Sequence, residues 1–292
     1  NEDGGREHLA GIAFLKQLTA SIKAEHPEGL LIAEESHYYP KVTRPVSEGG
    51  LGFDMKWAMG WMNDTLKFME KPSENREACV GLILHELSYF FDDYYLLALS
   101  HDEVVHGKKS LLAKMPGDEW EKFANLRLLI SYMIAHPGKK LLFMGSELAQ
   151  WAEWDVKGQL HWELLDLFYH RAFYTFFTQI SHLYKTCEPF YSGDYDPAST
   201  RLIDGFGAHP LLLVLERGKG AERILSLHNF SKEPIFFAYP IEVVEALEFF
   251  NTDCIEFGGR GASSQCQYRQ GRLEVEIPYL SSVFIKVKYD DN

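Results

Sequence analysis

Between residues 7 and 24 apolar side chains return every three or four positions, at Leu9, Ile12, Leu15, Leu18 and Ile22. That spacing predicts one face of an amphipathic helix. His26-Pro27-Glu28-Gly29 stops it, because proline cannot continue a helix and glycine closes one. The apolar run at 29–33 is short and unbroken, as a buried strand is. The same grammar recurs down the chain. Residues 52–57, 94–99 and 140–144 predict three more strands, while 59–69, 119–135 and about 164–184 predict helices. In the 119–135 stretch Trp120, Phe123, Leu126, Leu129, Ile130 and Met133 keep helical register. Apolar strands alternating with helices predict a parallel sheet. Four such units precede residue 185, where a closed barrel of this type needs eight strands. The pattern fits a small open sheet or half of a barrel.

After Pro189 the period changes. Short β-rich runs at 211–216, 223–230, 234–239, 246–251, 273–277 and 282–288 are separated by glycine-bearing turns at 217–220, 258–261 and 270–271. They predict an antiparallel β-sandwich. The expected organisation is an α/β unit over residues 1–188 and an all-β unit over 189–292.

Charge narrows the partners. Twenty-nine basic and 42 acidic residues leave a net charge of -13, with no basic stripe for nucleic acid. The adjacent lysines are Lys108-Lys109 and Lys139-Lys140. An acidic surface suits a neutral substrate. Cys79, Cys187, Cys254 and Cys266 form no CxxC pair, so no zinc or redox motif is expected, and they read as reduced, mostly buried thiols of a cytoplasmic protein. No apolar run approaches the roughly 20 residues of a membrane span. The chain opens at Asn1 without methionine, in a polar loop and without a signal peptide, and reads as the middle of a longer protein. GxSxG, GxGxxG and GxxxxGK are all absent, which removes the corresponding hydrolase, dinucleotide and phosphate-loop readings.

What remains is a pair of acidic clusters where apolar runs stop: Ala33-Glu34-Glu35-Ser36 and Ser100-His101-Asp102-Glu103. Catalytic groups of parallel barrels sit at such strand exits, and two carboxylates are the minimum equipment for glycoside cleavage. Side chains alternate along a strand, so only one of Glu34 and Glu35 faces such a site. Each has an alternative role in capping or pairing. His101 either meets a substrate hydroxyl or caps its strand. His101 and His106 are five residues apart, which does not fit a helical zinc motif, and no metal or cofactor is expected. Glu147, closing the fourth strand, is a third rim candidate, although a salt bridge or a helix cap accounts for it more readily. Trp57, Trp151, Trp154 and Trp162 are sugar platforms or packing.

Ile32-Ala33-Glu34-Glu35-Ser36 and the segment from Ser100 through His101-Asp102-Glu103-Val104-Val105-His106-Gly107 to Lys108 resemble two signature segments of the 1,4-α-glucan (glycogen) branching enzymes, in the α-amylase superfamily of (β/α)8 barrels. Gly49-Gly50-Leu51-Gly52-Phe53, Met115-Pro116-Gly117-Asp118 and Phe250-Asn251-Thr252-Asp253 are similar to that family too. The resemblance implies Glu34 as general acid/base, Asp102 as the carboxylate that stabilises the transition state, and His101 as a substrate-binding neighbour. It implies a retaining transfer of an α-glucan segment to a 6-hydroxyl, in an enzyme that is monomeric at full length. The family's nucleophile lies in an Arg-x-Asp segment on an earlier strand, and no such segment occurs here. The resemblance therefore implies a C-terminal half, strands five to eight of a TIM barrel followed by the β-sandwich, inactive and aggregation-prone alone. An amylase- or debranching-type hydrolase and a non-catalytic glucan-binding remnant remain as alternatives.

Overall fold

A computed structural model describes residues 1–2, 4–262 and 264–290. Its first part is a parallel four-stranded sheet in the order β1 (Ile32–Ala33), β2 (Met55–Trp57), β3 (Tyr95–Leu99) and β4 (Lys139–Leu142). The helices are α1 (Leu9–Glu25), α2 (Met59–Met69), the single turn α3 (Ser73–Arg76), α4 (Val80–Tyr89), the single turn α5 (Leu111–Lys114), α6 (Glu119–Ala135) and α7 (Phe168–Thr186). The strands from Thr200 onward are antiparallel. One sheet runs β5 (Thr200–Gly205), β6 (Leu212–Arg217), β7 (Glu222–Asn229), β12 (Ser281–Lys288), β9 (Glu245–Asn251). The other runs β10 (Gln267–Arg269), β11 (Arg272–Ile277), β8 (Ile235–Pro240). No helix among the described residues is long and apolar enough to cross a membrane.

The two faces of the five-stranded sheet explain why β6 is buried throughout. Leu213, Leu215, Ile224 and Phe284 join a core with Trp61, Phe68, Leu97, Leu99 and Leu129 from the α/β part. Leu212, Val214, Leu225, Val283 and Ile285 face Phe237, Leu273 and Val275 of the second sheet. Helix α6 lies inside the first core and is buried at every residue from 123 to 135, its polar Asn125 and Arg127 included, and both find hydrogen-bond partners there. Asp118 starts it: its carboxylate accepts from Glu121 N at 2.9 Å while Glu121 accepts from Asp118 N at 2.9 Å, a reciprocal cap. Gly138 turns the chain into β4 at φ +92°, where a Cβ would meet the Phe90 ring and Tyr95 O at 2.9 Å.

Three buried arginines join the parts by spending their donors on backbone carbonyls. Arg76 donates to Phe230 O at 3.1 Å and Met69 O at 2.9 Å, Arg127 to Thr252 O and Phe257 O at 3.0 Å, and Arg217 to Ala135 O at 3.0 Å. Burial lowers Arg76 and Arg127 to about 10, so both keep their charge at neutral pH.

The expectation of a buried first strand is corrected. Only Ile32–Ala33 pairs, at the sheet edge, and Leu30 and Ile32 are 67% and 41% exposed. With a neighbour on one side only, the run has nothing to bury against. The apolar stripe of α1 is only partly covered: Leu9 and Leu18 are exposed, Ile12, Leu15 and Ile22 are half-buried, and Thr19 is the helix's one buried residue among those described. The cysteines are free but half-buried rather than mostly buried. The last helix is interrupted at Leu167, which ends a 3-10 turn over Trp162–Asp166 before α7 begins.

Glu86 of α4 is buried between Tyr132, whose hydroxyl donates to it at 2.6 Å, and Thr65 at 3.3 Å. Burial raises its pKa well above the ordinary value of 4.5, against the pull of those two hydrogen bonds. The native carboxyl therefore keeps its proton at pH values where the unfolded one has lost it. Its contribution to stability is full below 4.5 and is lost as pH rises toward the folded pKa. Glu86→Gln keeps an acceptor for Tyr132 and removes the titration. Thermal melts over a pH series should show a shallower decline above pH 4.5 in the variant. Identical slopes in the two proteins would count against this assignment.

Candidate active site

Because all four strands run parallel, their C-terminal ends share one edge of the sheet. Glu34 follows β1 directly and Ser100-His101-Asp102 follows β3. One strand, β2, lies between them, which separates the two strand exits by roughly 10 Å.

Register decides which acidic side chain faces where. Ala33 pairs with Lys56, and Lys56 with Tyr95, so these three share a face. Tyr95, Leu97 and Leu99 belong to the core under the helices, whereas Leu96 and Ala98 do not. Ala33 and Glu35 therefore look toward the helices, and Glu34 takes the opposite face with Trp57 and Leu96. Glu35 is consumed structurally: Lys56 Nζ donates to its carboxylate at 2.6 Å and Tyr39 N at 3.2 Å. Lys56 is buried and also lies 3.9 Å from Asp93, which accepts from Thr43 N and Oγ1 at 2.9 and 2.7 Å. Glu34 is exposed and has no hydrogen-bond or ion-pair partner among the described residues.

The second cluster divides in the same way. Ser100 caps a 3-10 turn over His101–Val104. Glu103 is buried and accepts from Ser100 N at 2.6 Å and Ser100 Oγ at 2.8 Å, while Asp102 N donates to Ser100 Oγ at 3.2 Å. This lifts His101 and Asp102 to the rim, with side chains 50% and 47% exposed and His101 Nε2 3.3 Å from Asp102 Oδ1. His101 lies 5.8 Å from the Phe143 ring, and Phe143 5.0 Å from Trp154, edge-on. Trp154 N donates to Val104 O at 3.0 Å, so one of the four tryptophan candidates buttresses the turn.

Sequence reasoning missed Glu153. Its carboxylate accepts from Gly107 N at 3.0 Å and Lys109 N at 2.6 Å, and these two amides hold its pKa below the ordinary value. It clamps the loop after Asp102, where His106, Gly107 and Lys109 all have positive φ. A consecutive His-Gly-Lys-Lys after a strand exit was the available signal. Glu147 sits half-buried in a 3-10 turn after β4, with no hydrogen-bond partner among the described residues. Trp151 and Trp162 are exposed. No group of three or more metal-ligating side chains occurs among the described residues.

No protein-family model matches the chain. Curated relatives do. The chain is 45% identical over 265 residues to a 1,4-alpha-glucan branching enzyme GlgB of Protochlamydia amoebophila, covering 89% of this chain and 36% of that enzyme. It is 41% identical over 300 residues to the enzyme of the same name from Halothermothrix orenii, covering 98% and 48%. The chain thus spans less than half the length of these relatives. Among solved structures, an Anoxybacillus alpha-amylase matches with TM-score 0.63 at 13% identity, over 96% of this chain and 57% of that one. A Nostoc punctiforme debranching enzyme matches with TM-score 0.60 at 13% identity, over 93% and 55%. At such identity these two speak for the fold alone.

Proposed function

The chain is homologous to the 1,4-alpha-glucan branching enzymes, and from that premise we propose that it carries part of a site that cuts an α-1,4-glucan and rejoins the segment through an α-1,6 bond. The observation that carries this reading is the sorting at the sheet edge. Of two acidic pairs, Glu35 and Glu103 are spent on structure, while Glu34 is left without a partner among the described residues and Asp102, beside His101 at 3.3 Å, stays half-exposed at a parallel strand exit.

In this reading Glu34 protonates the leaving glycosidic oxygen and later takes the proton from the acceptor's 6-hydroxyl. Asp102 stabilises positive charge on the sugar ring, and His101 binds a sugar hydroxyl beside it. The group that attacks the anomeric carbon is not among these residues. We place it on a strand that pairs with the free edge of β1, so that residues 1–188 form strands five to eight of a barrel and 189–292 its β-sandwich. The uncovered apolar side chains Leu9, Phe14, Leu18, Leu30 and Ile32 support such a neighbour. An apolar patch of this kind marks a contact surface.

Incubating the purified chain with amylose tests the division of labour. No new α-1,6 linkages should form, as read by debranching-enzyme digestion and chain-length analysis. Branching by this chain alone would overturn the assignment of the nucleophile to another segment.

A further inference from the structure

Two neighbouring residues of the segment after β4 reach across to the turn that carries His101 and Asp102. Glu153 accepts from Gly107 N at 3.0 Å and from Lys109 N at 2.6 Å, one bond to each carboxylate oxygen, and Trp154 N donates to Val104 O at 3.0 Å. We propose that Glu153 is a positioning residue: from the β4 exit it fixes the direction of Asp102 and His101 at the β3 exit. The inference rests on the reaction proposed above.

The turn is held at both ends. Before Asp102 stands the Ser100–Glu103 cap. After it the backbone runs through three left-handed residues, His106 at φ 57°, Gly107 at 81° and Lys109 at 68°. Two of these carry a Cβ, and such a path persists only where its surroundings impose it. Glu153 imposes it on Gly107 and Lys109, and Lys114 Nζ adds a bond to Lys108 O. Hydrogen bonds to an ionised carboxylate are roughly twice as strong as neutral ones, and the two amides keep Glu153 ionised by lowering its pKa.

Burial does not explain the clamp. Residues 106 to 109 are exposed, so water could satisfy both amides. A carboxylate on a neighbouring strand exit also fixes their direction, which water cannot. Direction matters here, because a misplacement of about 1 Å can cost on the order of 10²-fold in rate. The same segment backs His101: its ring lies 5.8 Å from Phe143, and Phe143 lies 5.0 Å from Trp154, edge-on. Residues 153 and 154 thus set both the backbone of the turn and the wall behind its histidine. The register of β3 and β4 ends at Leu99 and Leu142; past it, Glu153 and Trp154 carry the alignment of the two exits.

Steady-state kinetics on amylose, in a full-length branching enzyme that carries this chain, test the proposal. Glu153→Ala should lower kcat by about tenfold, with a smaller change in KM and a melting temperature nearly unchanged. Glu153→Gln keeps the size and one acceptor oxygen but loses the second bond, and should lose part of that rate with the fold intact. Because the effect runs through Asp102, Glu153→Ala added to Asp102→Asn should cost little more, whereas added to Glu34→Gln it should cost its full effect. Trypsin should also cut after Lys108 and Lys109 sooner in Glu153→Ala, as read by mass spectrometry. Full additivity with Asp102→Asn, or a lowered melting temperature with kcat unchanged, overturns the positioning role and leaves the branching function standing. Unchanged tryptic cleavage overturns the clamp. Full branching by both Glu34→Gln and Asp102→Asn overturns the reaction on which the proposal rests.

Discussion

On the proposed reading, Glu34→Gln, introduced into a full-length branching enzyme that carries this chain, is expected to lower the branching rate by about 10²–10⁴-fold, the usual contribution of a general acid–base. Glutamine keeps the size and one acceptor but cannot move a proton. The loss should depend on the leaving group. With a donor whose leaving group needs no proton, such as a glycosyl fluoride, the first displacement should recover most of its rate. Asp102→Asn should depress both donors alike, since charge stabilisation is required whichever group departs. The neighbouring Glu35→Gln makes the control. It removes the charge that faces buried Lys56 at 2.6 Å and should lower thermal stability more than turnover. Should Glu35→Gln abolish turnover while Glu34→Gln leaves it intact, the assignment of faces from the strand register is wrong.

That contrast shows what the sequence can and cannot disclose. Apolar period located β3 and α6, which are buried throughout or nearly so, and short apolar runs located β2 and β4, which are only partly covered. Period also marked α1 and β1, but their apolar positions are exposed or only half-buried, so pattern announced a surface that this chain does not fully bury. Helix α4 escaped notice: its buried Glu86 breaks the apolar face, and only the contact with Tyr132 and Thr65 makes that position tolerable. At the strand exits the sequence showed four carboxylates without ranking them. Ser100 and Glu103 stand three apart, a spacing that does announce a reciprocal cap. The pairing of Glu35 with Lys56 spans 21 residues and depends on the β1–β2 register, which no local motif encodes. Strands β5 and β10 lie at sheet edges, β10 with only three residues, and neither was anticipated.

The largest effect on stability is expected from Asp194→Ala. Asp194 is buried and accepts from Arg217 at 2.8 Å, Lys139 at 2.9 Å and the Tyr184 hydroxyl at 3.3 Å. Arg217, fully buried on β6, is pulled down in pKa by desolvation, and Asp194 is the charge that opposes this. The same guanidinium reaches Ala135 O at the end of α6 and Phe190 O at 3.4 Å, so it ties the five-stranded sheet to the helices beneath the candidate site. Alanine leaves that cation buried without a counter-charge, a change that costs about 3–5 kcal/mol. For a chain of this size the melting temperature should fall by roughly 10 °C. Replacing both partners by apolar residues, Asp194→Leu with Arg217→Met, should recover part of the loss, because no charge is then stranded. Lys286→Ala, which breaks an exposed pair with Glu222 at 2.8 Å, should leave the melt unchanged. If Asp194→Ala and Lys286→Ala melt together, the buried pair does not hold the two layers, and the position of Asp102's strand relative to the β-sheets must be fixed by apolar packing alone.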